Sequence, residues 1–203
     1  MNNGLLIFAK KPVPGKVKTR LAVDIGNEAA CQIYKQLLFY TFDIAEKTNT
    51  YVFACLTEKD EVTLDTIPYT DFYQQVNGNL GEKLNDAFKT VFQKGFKKLI
   101  VLGTDCADLT SGIIDEAYNK LENNDVVIGP AEDGGYYLLG MTHYIPSIFE
   151  NKSWSTEHLL TETIQTLKEE NKSYHLLETL SDIDNIKDLK NTKNKLIKWH
   201  HHI

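Results

Sequence analysis

Apolar and polar positions along the chain fall into two alternating rhythms. Short, continuous apolar runs occur at Leu5–Ala9, Tyr51–Leu56 and Asp125–Ile128, and the clearest runs from Lys98 to end in the carboxylate of Asp105. Such runs lack a polar alternate, which reads as strands buried on both faces, as in a parallel sheet. Between them lie stretches with helical spacing. In 28–46 the residues Ala30, Ile33, Tyr34, Leu37, Leu38, Phe42 and Ala45 share one face, and Asn27 stands where a cap belongs. A second helix opens near Leu80, with Leu84, Ala87, Phe88, Val91 and Phe92 inward, and a third covers 111–121. Weaker signals place a strand at 71–76 and a helix start at Trp154-Ser155-Thr156, capped by Ser155 or Thr156 with Glu157 at its positive end. A strand at 174–177 and a polar helix after Asp184-Asn185 complete the pattern, while the strand at 125–128 leads into the glycine-rich 129–140, with Asp133 at a strand-to-loop junction. Alternation at these lengths predicts an α/β fold: three α/β/α layers around a mostly parallel central sheet, as one domain over 1–203.

Composition narrows the function classes. With 42% hydrophobic and 25% charged residues the chain is an ordinary soluble protein. A formal net charge of -6 argues against nucleic acid as partner, because that needs a broad basic face. Three cysteines, Cys31, Cys55 and Cys106, have no C-x-x-C or zinc spacing, so a reducing cytoplasmic setting is expected. The start carries no charged-then-apolar leader, and no apolar run nears the ~20 residues of a membrane span. His200, His201 and His202 could chelate a metal, but a frayed terminus is the simpler reading.

Against this acidic background, five of the 22 Lys and Arg residues crowd into Lys10–Arg20, directly after the first strand, and Arg20 is the sole arginine. A solvated surface turn would account for the lysines alone. Their position does not fit that reading as well: ligands of open α/β sheets lie at the carboxyl ends of the strands, and this loop leaves such an end. Cations and loop N–H groups there suit phosphate oxygens. Neither G-x-x-x-x-G-K-[ST] nor G-x-G-x-x-G is present. Three further strand ends carry carboxylates: Asp105, Asp133, and the pair Asp182 and Asp184. Each alone could be a cap or turn former, Asp184 for the last helix and Asp105 for its turn. Together, facing the basic loop, they describe a place where Mg²⁺ or Mn²⁺ bridges protein and diphosphate. In Gln75…Leu80-Gly81 a strand ends in a glycine turn that opens a helix; the glycines make the turn, or let backbone approach a flat ring whose edge Gln75 reads.

These residues carry a resemblance. Phe8-Ala9-Lys10-x-Pro12-x-Pro14-Gly15-x-Val17-Lys18-Thr19-Arg20-Leu21, Gly103-Thr104-Asp105-Cys106-x-x-Leu109, Gly129-Pro130-Ala131-x-Asp133-Gly134-Gly135-Tyr136-Tyr137-Leu138 and Trp154-Ser155-Thr156 span most of the chain. The chain resembles the nucleotide-diphospho-sugar transferase (GT-A-like) superfamily, and within it the radical-SAM/selenodomain-associated branch, also labelled arsenosugar-biosynthesis glycosyltransferase-like. It is also similar to nucleotidylyltransferases with a basic loop ending Lys-x-Arg-Leu and a late D-x-D. The resemblance implies nucleotide binding by Ala9, Lys10, Gly15, Lys16, Lys18, Arg20, Gln75, Leu80 and Gly81. It implies metal ligation by Asp105, Asp182 and Asp184. There are departures: Pro12-Val13-Pro14-Gly15 replaces the usual G-x-G-x-R opening, and Asp105-Cys106-Ala107-Asp108 is one residue too long for a glycosyltransferase D-x-D.

The reading that results is a cytoplasmic, Mg²⁺- or Mn²⁺-dependent transferase of a nucleotide-activated substrate. Glycosyl transfer from a nucleotide sugar to a small-molecule acceptor comes first, with Lys18 and Arg20 stabilising the leaving diphosphate and Asp133 as base or positioning group. The rivals are a nucleotidylyltransferase releasing pyrophosphate and a non-catalytic nucleotide-binding protein.

Overall fold

A computed structural model of the chain describes residues 2–194 and residue 197. The elements run β1 (Asn3–Phe8), α1 (Thr19–Ile25), α2 (Asn27–Glu46), β2 (Tyr51–Leu56), α3 (Glu61–Leu64), β3 (Asp71–Gln74), α4 (Leu80–Gln93), β4 (Lys98–Leu102), α5 (Ser111–Lys120), β5 (Val126–Pro130), β6 (Tyr136–Met141), α6 (Leu159–Glu169), β7 (Tyr174–Leu176) and α7 (Ile186–Asn191). The strands form one seven-stranded sheet in the order β3-β2-β1-β4-β6-β5-β7. β6 runs antiparallel to both neighbours, and the other pairings are parallel. The carboxyl ends of the parallel strands therefore share one edge, and β6 starts there.

Alternation along the strands explains the three layers. In β1, Leu5 and Ile7 point to one face and Leu6 to the other. The first face is covered by α2 and α5 through Leu38, Phe42, Ile113, Ile114 and Ala117. The second is covered by α4 and α6 through Leu84, Phe88, Val91 and Leu167. Each fully buried leucine or phenylalanine contributes roughly 1.5–3 kcal/mol, so the two faces together outweigh any single polar contact in the molecule. Among the described residues, no helix is long and apolar enough to cross a membrane.

The expected elements form, but several boundaries differ. Tyr136–Met141, to which the sequence assigned no element, is β6, paired on both sides, and β4 stops at Leu102 rather than Asp105. Gly140 sits within it because a Cβ there would lie 2.8 Å from both Ile100 and Val127. Asn27 is the first residue of α2 rather than its cap; Gly26 takes the cap position, with no side-chain bond. α6 begins only at Leu159, because Ser155 adopts φ 64 and Thr156 spends its hydroxyl on Ser153 O. Its first-turn acid is Glu162, not Glu157. Asn185, not Asp184, caps α7, with Asp188 returning the bond to the Asn185 N–H. The histidines His200–His202 lie outside the described residues.

Candidate functional site

The loop after β1 is shaped by two fixed points on α2. At its start the Tyr34 hydroxyl accepts from the Lys10 N–H (2.7 Å) and donates to the Lys10 carbonyl (3.1 Å). Near its end Val17 is buried against Cys31 and Tyr34. Between them Lys16 N–H donates to Val13 O, and Gly15 takes φ 76. Pro14 and Gly15 thus occupy the centre of a type II turn, whose third position needs positive φ. Lys18 follows in the left-handed region at φ 49, an uncommon and costly conformation for a non-glycine residue. What holds it there is its side chain.

The Lys18 ammonium is almost wholly enclosed, the side chain 3% exposed. It lies 2.6 Å from Asp105 Oδ1 and 3.7 Å from Asp184 Oδ1. The contact with Asp105 is an ion pair without the alignment of a hydrogen bond. Arg20, 80% exposed, donates from Nη1 to Asp184 Oδ2 at 3.1 Å. Lys11 turns elsewhere, to Asp60 and Glu58, whereas Lys10 and Lys16 make no ion pair among the described residues.

The carboxylates arrive from three places on one edge. Asp105 follows β4. Residues 182–184 follow β7 and cross back over the sheet: Cys106 and Asp182 form an antiparallel bridge, and Ile183 N–H donates to Asp105 O (2.9 Å). Ile183 is buried in a cluster with Leu21 of α1 and Ala107, so its two neighbours are turned the other way, toward Lys18. That cluster is what brings α1, with Arg20 before Leu21, against Asp184. Asp133 sits in the turn between β5 and β6 and accepts the Gly135 N–H at Oδ1 (2.9 Å). Asp108, by contrast, is directed to the chain's end, accepting from Thr192, Lys193 and Asn194. Asp105 and Asp108 are thus directed to different partners, Lys18 for the one and residues 192–194 for the other.

Asp182 is the electrostatic centre. Its carboxyl is pushed up to about 7, first by burial, then by the nearby charges of Asp105, Asp133 and Asp184, with Lys18 pulling the other way. Negative charge exceeds what Lys18 and Arg20 neutralise. Carboxylate oxygens are the donors that a hard divalent cation takes. Among the described residues, no three such groups converge closely enough to hold one, and the Lys18 ammonium stands between Asp105 and Asp184.

The remaining expected residues lie on the same edge, further toward β3. Gln75 is buried; its Nε2 donates to Cys55 O (2.7 Å) and Ala9 O (3.3 Å), clasping the ends of β1 and β2. Leu80 is exposed at the start of α4. Gly81 does approach a flat ring, and the ring is the protein's own: a Cβ would lie 2.1 Å from Trp154 Nε1. Tyr34 was not expected as part of the site. The available signal was a phenol on the apolar face of a helix, which needs a partner for its hydroxyl.

With this geometry in hand, comparison with known proteins is informative. A structure from Desulfovibrio desulfuricans G20, provisionally described as a nucleotide-diphospho-sugar transferase, is 26% identical with a TM-score of 0.89, covering 97% of this chain and 93% of that one. CMP:2-keto-3-deoxy-manno-octonic acid synthetase complexed with CTP is similar at TM-score 0.60 and 9% identity, covering 94% and 96%. 4-Diphosphocytidyl-2C-methyl-D-erythritol synthase from Anaerococcus prevotii DSM 20548 is similar at 0.60 and 10%, covering 92% and 92%. The Desulfovibrio likeness gives the fold, that of nucleotide-diphospho-sugar transferases, and the two distant ones bear on the fold alone. No curated protein matches in sequence. Residues 41–156, more than half of the chain, match the family described as "Uncharacterized protein conserved in bacteria" (DUF2064), and the chain belongs to that family.

Proposed function

We propose that the chain is a transferase acting on a nucleotide-activated substrate, with the loop after β1 holding its phosphates. The observation that carries this reading is the enclosed Lys18 ammonium between Asp105 and Asp184, with Arg20 beside it. Cations facing carboxylates across a sheet edge form a seat for an anion bridged by a cation. Lys10 and Lys16, which make no ion pair among the described residues, would reach phosphate oxygens, and Gly15 leaves the loop open to close approach. Ala9, Gln75 and Leu80 would border the nucleoside, while Gly81 is covered by the Trp154 ring. The description of the Desulfovibrio structure supports glycosyl transfer from a nucleotide sugar to a small acceptor as the first reading. It fits the radical-SAM-associated branch that the sequence motifs resemble, and a cytoplasmic setting. Asp133 would take or orient the acceptor hydroxyl proton.

Carboxylates are the donors that Mg²⁺ or Mn²⁺ takes, and Asp105, Asp182 and Asp184 would hold such an ion only by drawing together in place of the Lys18 ammonium. Such an ion would neutralise charge on a departing diphosphate. Nucleotidyl transfer is the second reading, favoured by the cytidylyl-type enzymes of like fold.

A thermal-shift panel of nucleosides, nucleoside di- and triphosphates and nucleotide sugars, with and without Mn²⁺, tests the proposal. Diphosphates and nucleotide sugars are expected to raise the melting temperature, and Arg20→Ala to reduce the diphosphate response more than the nucleoside response. No response to any nucleotide would overturn the reading. Pyrophosphate released from a triphosphate in the absence of a sugar donor would select the second.

A further inference from the structure

Between the start of α4 and the 149–154 segment lies a cavity of about 420 Å³, walled on one side by Trp154. This is within the range of small-molecule sites. We propose that it is a binding subsite for an uncharged, polyhydroxylated ring compound, a sugar or a cyclic polyol. The proposal deepens the transferase reading, on which it rests only for naming the occupant as the second substrate.

The wall is built rather than incidental. The Trp154 indole is fixed by the Tyr136 ring, edge-on at 6.4 Å between centroids, and by the bare backbone of Gly81. The segment that carries it is tied down by Glu162, whose two oxygens accept from the Ser153 N–H and hydroxyl at 2.7 Å each. On either side, Asn151 and Ser155 are held at φ 53 and φ 64. Asparagine adopts this region readily, whereas Ser155 does so at a cost that the surrounding packing covers.

The polar atoms select the ligand. Asn85 Oδ1 accepts from the Tyr144 hydroxyl (2.5 Å), and Asn79 Oδ1 accepts from the Glu82 N–H (3.0 Å). Both amides keep their NH₂ groups without a protein partner among the described residues, as does Asn151. Glu82 uses Oε2 on the Asn79 N–H and retains Oε1; Glu150 makes no ion pair among the described residues. The one cation of the lining, Lys152, donates to the carbonyls of Ser147 and Glu150 and is outnumbered by the carboxylates of Glu82 and Glu150. Amide donors beside carboxylate acceptors match hydroxyls, which both accept and donate. The two carboxylates oppose a phosphate group. An indole wall packs against the C–H face of a ring. Strand β6 connects Tyr136 directly to the Asp133 turn, and Leu160 N–H bonds Gly134 O, so the segment bearing Trp154 is coupled to the candidate base.

In a Trp199→Phe background, Trp154 is the only tryptophan, and its emission can be titrated with glucose, galactose, mannose, N-acetylglucosamine and myo-inositol. At least one is expected to give a saturable change with a dissociation constant of about 1–10 mM. Glycerol should give none, and the matching sugar phosphate should bind more weakly. Asn151→Gly, compatible with the backbone at that position, and Glu150→Gln should each weaken binding about fivefold, the loss of one hydrogen bond. No saturable change with any of the five, tighter binding of the phosphate ester, or affinities untouched by both substitutions would overturn the proposal. The nucleotide panel is independent: sugar binding without nucleotide binding would sink the transferase reading and leave this one standing.

Discussion

Lys18 Nζ rests 2.6 Å from Asp105 Oδ1, so the end of the basic loop is fastened to the end of β4. The enclosed partner is the cation, and the carboxylate is 45% exposed. Asp105→Asn therefore leaves a buried ammonium with weaker compensation, at a cost of about 1–3 kcal/mol, more than an ordinary surface exchange. Urea denaturation measures this, and the loss should disappear when Lys18→Met is combined with it. A stability change within ~0.5 kcal/mol for Asp105→Asn alone would mean that the pair does not form.

Asp182 predicts a pH dependence with a definite sign. Its carboxyl titrates near 7 in the fold and near 3.8 when unfolded, so the folded chain holds an extra proton between these values. Stability then falls as pH rises through that window. In metal-free buffer the melting temperature should decrease from pH 5 to pH 8, and Asp182→Asn should flatten the profile and stabilise the protein at the upper end. A flat profile in the parent would refute the burial of that charge.

Tyr34→Phe removes one oxygen that serves both backbone groups of Lys10. The expected cost is about 1–2 kcal/mol. Nucleoside triphosphate affinity should fall further than nucleoside affinity, because the lost contact shapes the loop and touches no base. Equal losses would show that the hydroxyl does nothing for the loop.

Gly81→Ala places a methyl carbon against Trp154. Forcing the ring aside should cost about 1–3 kcal/mol. In a double-mutant cycle, Trp154→Leu should remove most of that penalty, and additive effects would mean that the two residues are not in contact.

What the sequence reveals here follows from how many residues state the same fact. β1 and β4 are legible because Leu5, Leu6, Ile7 and Leu99–Leu102 are all enclosed on both faces. β6 is not, since Gly134 and Gly135 precede it and Gly140 interrupts it, and the reasons for two of them lie in distant neighbours, Glu157 for Gly134 and Ile100 and Val127 for Gly140. Helix starts fail for a related cause: Ser155 and Thr156 look like caps, yet one is held in a left-handed turn and the other bonds backwards to Ser153. The convergence of Lys18 and Arg20 with Asp105, Asp182 and Asp184 could be foreseen because each follows a strand of one sheet. The depth of Lys18 could not: it depends on Val17, Leu21 and Ile183 packing from separate segments. Asp108 illustrates the limit, since only the position of residues 192–194 shows that it is structural.

Residues 182–184 come late in the chain and must travel back across two strands to reach Cys106. A nascent chain still lacking them would expose Lys18 and Arg20 with half their counter-charges missing. Without Asp184, Lys18 keeps only Asp105 and Arg20 has no carboxylate partner among the described residues, so the opposed charges of this edge close only when the segment that crosses back from β7 is in place.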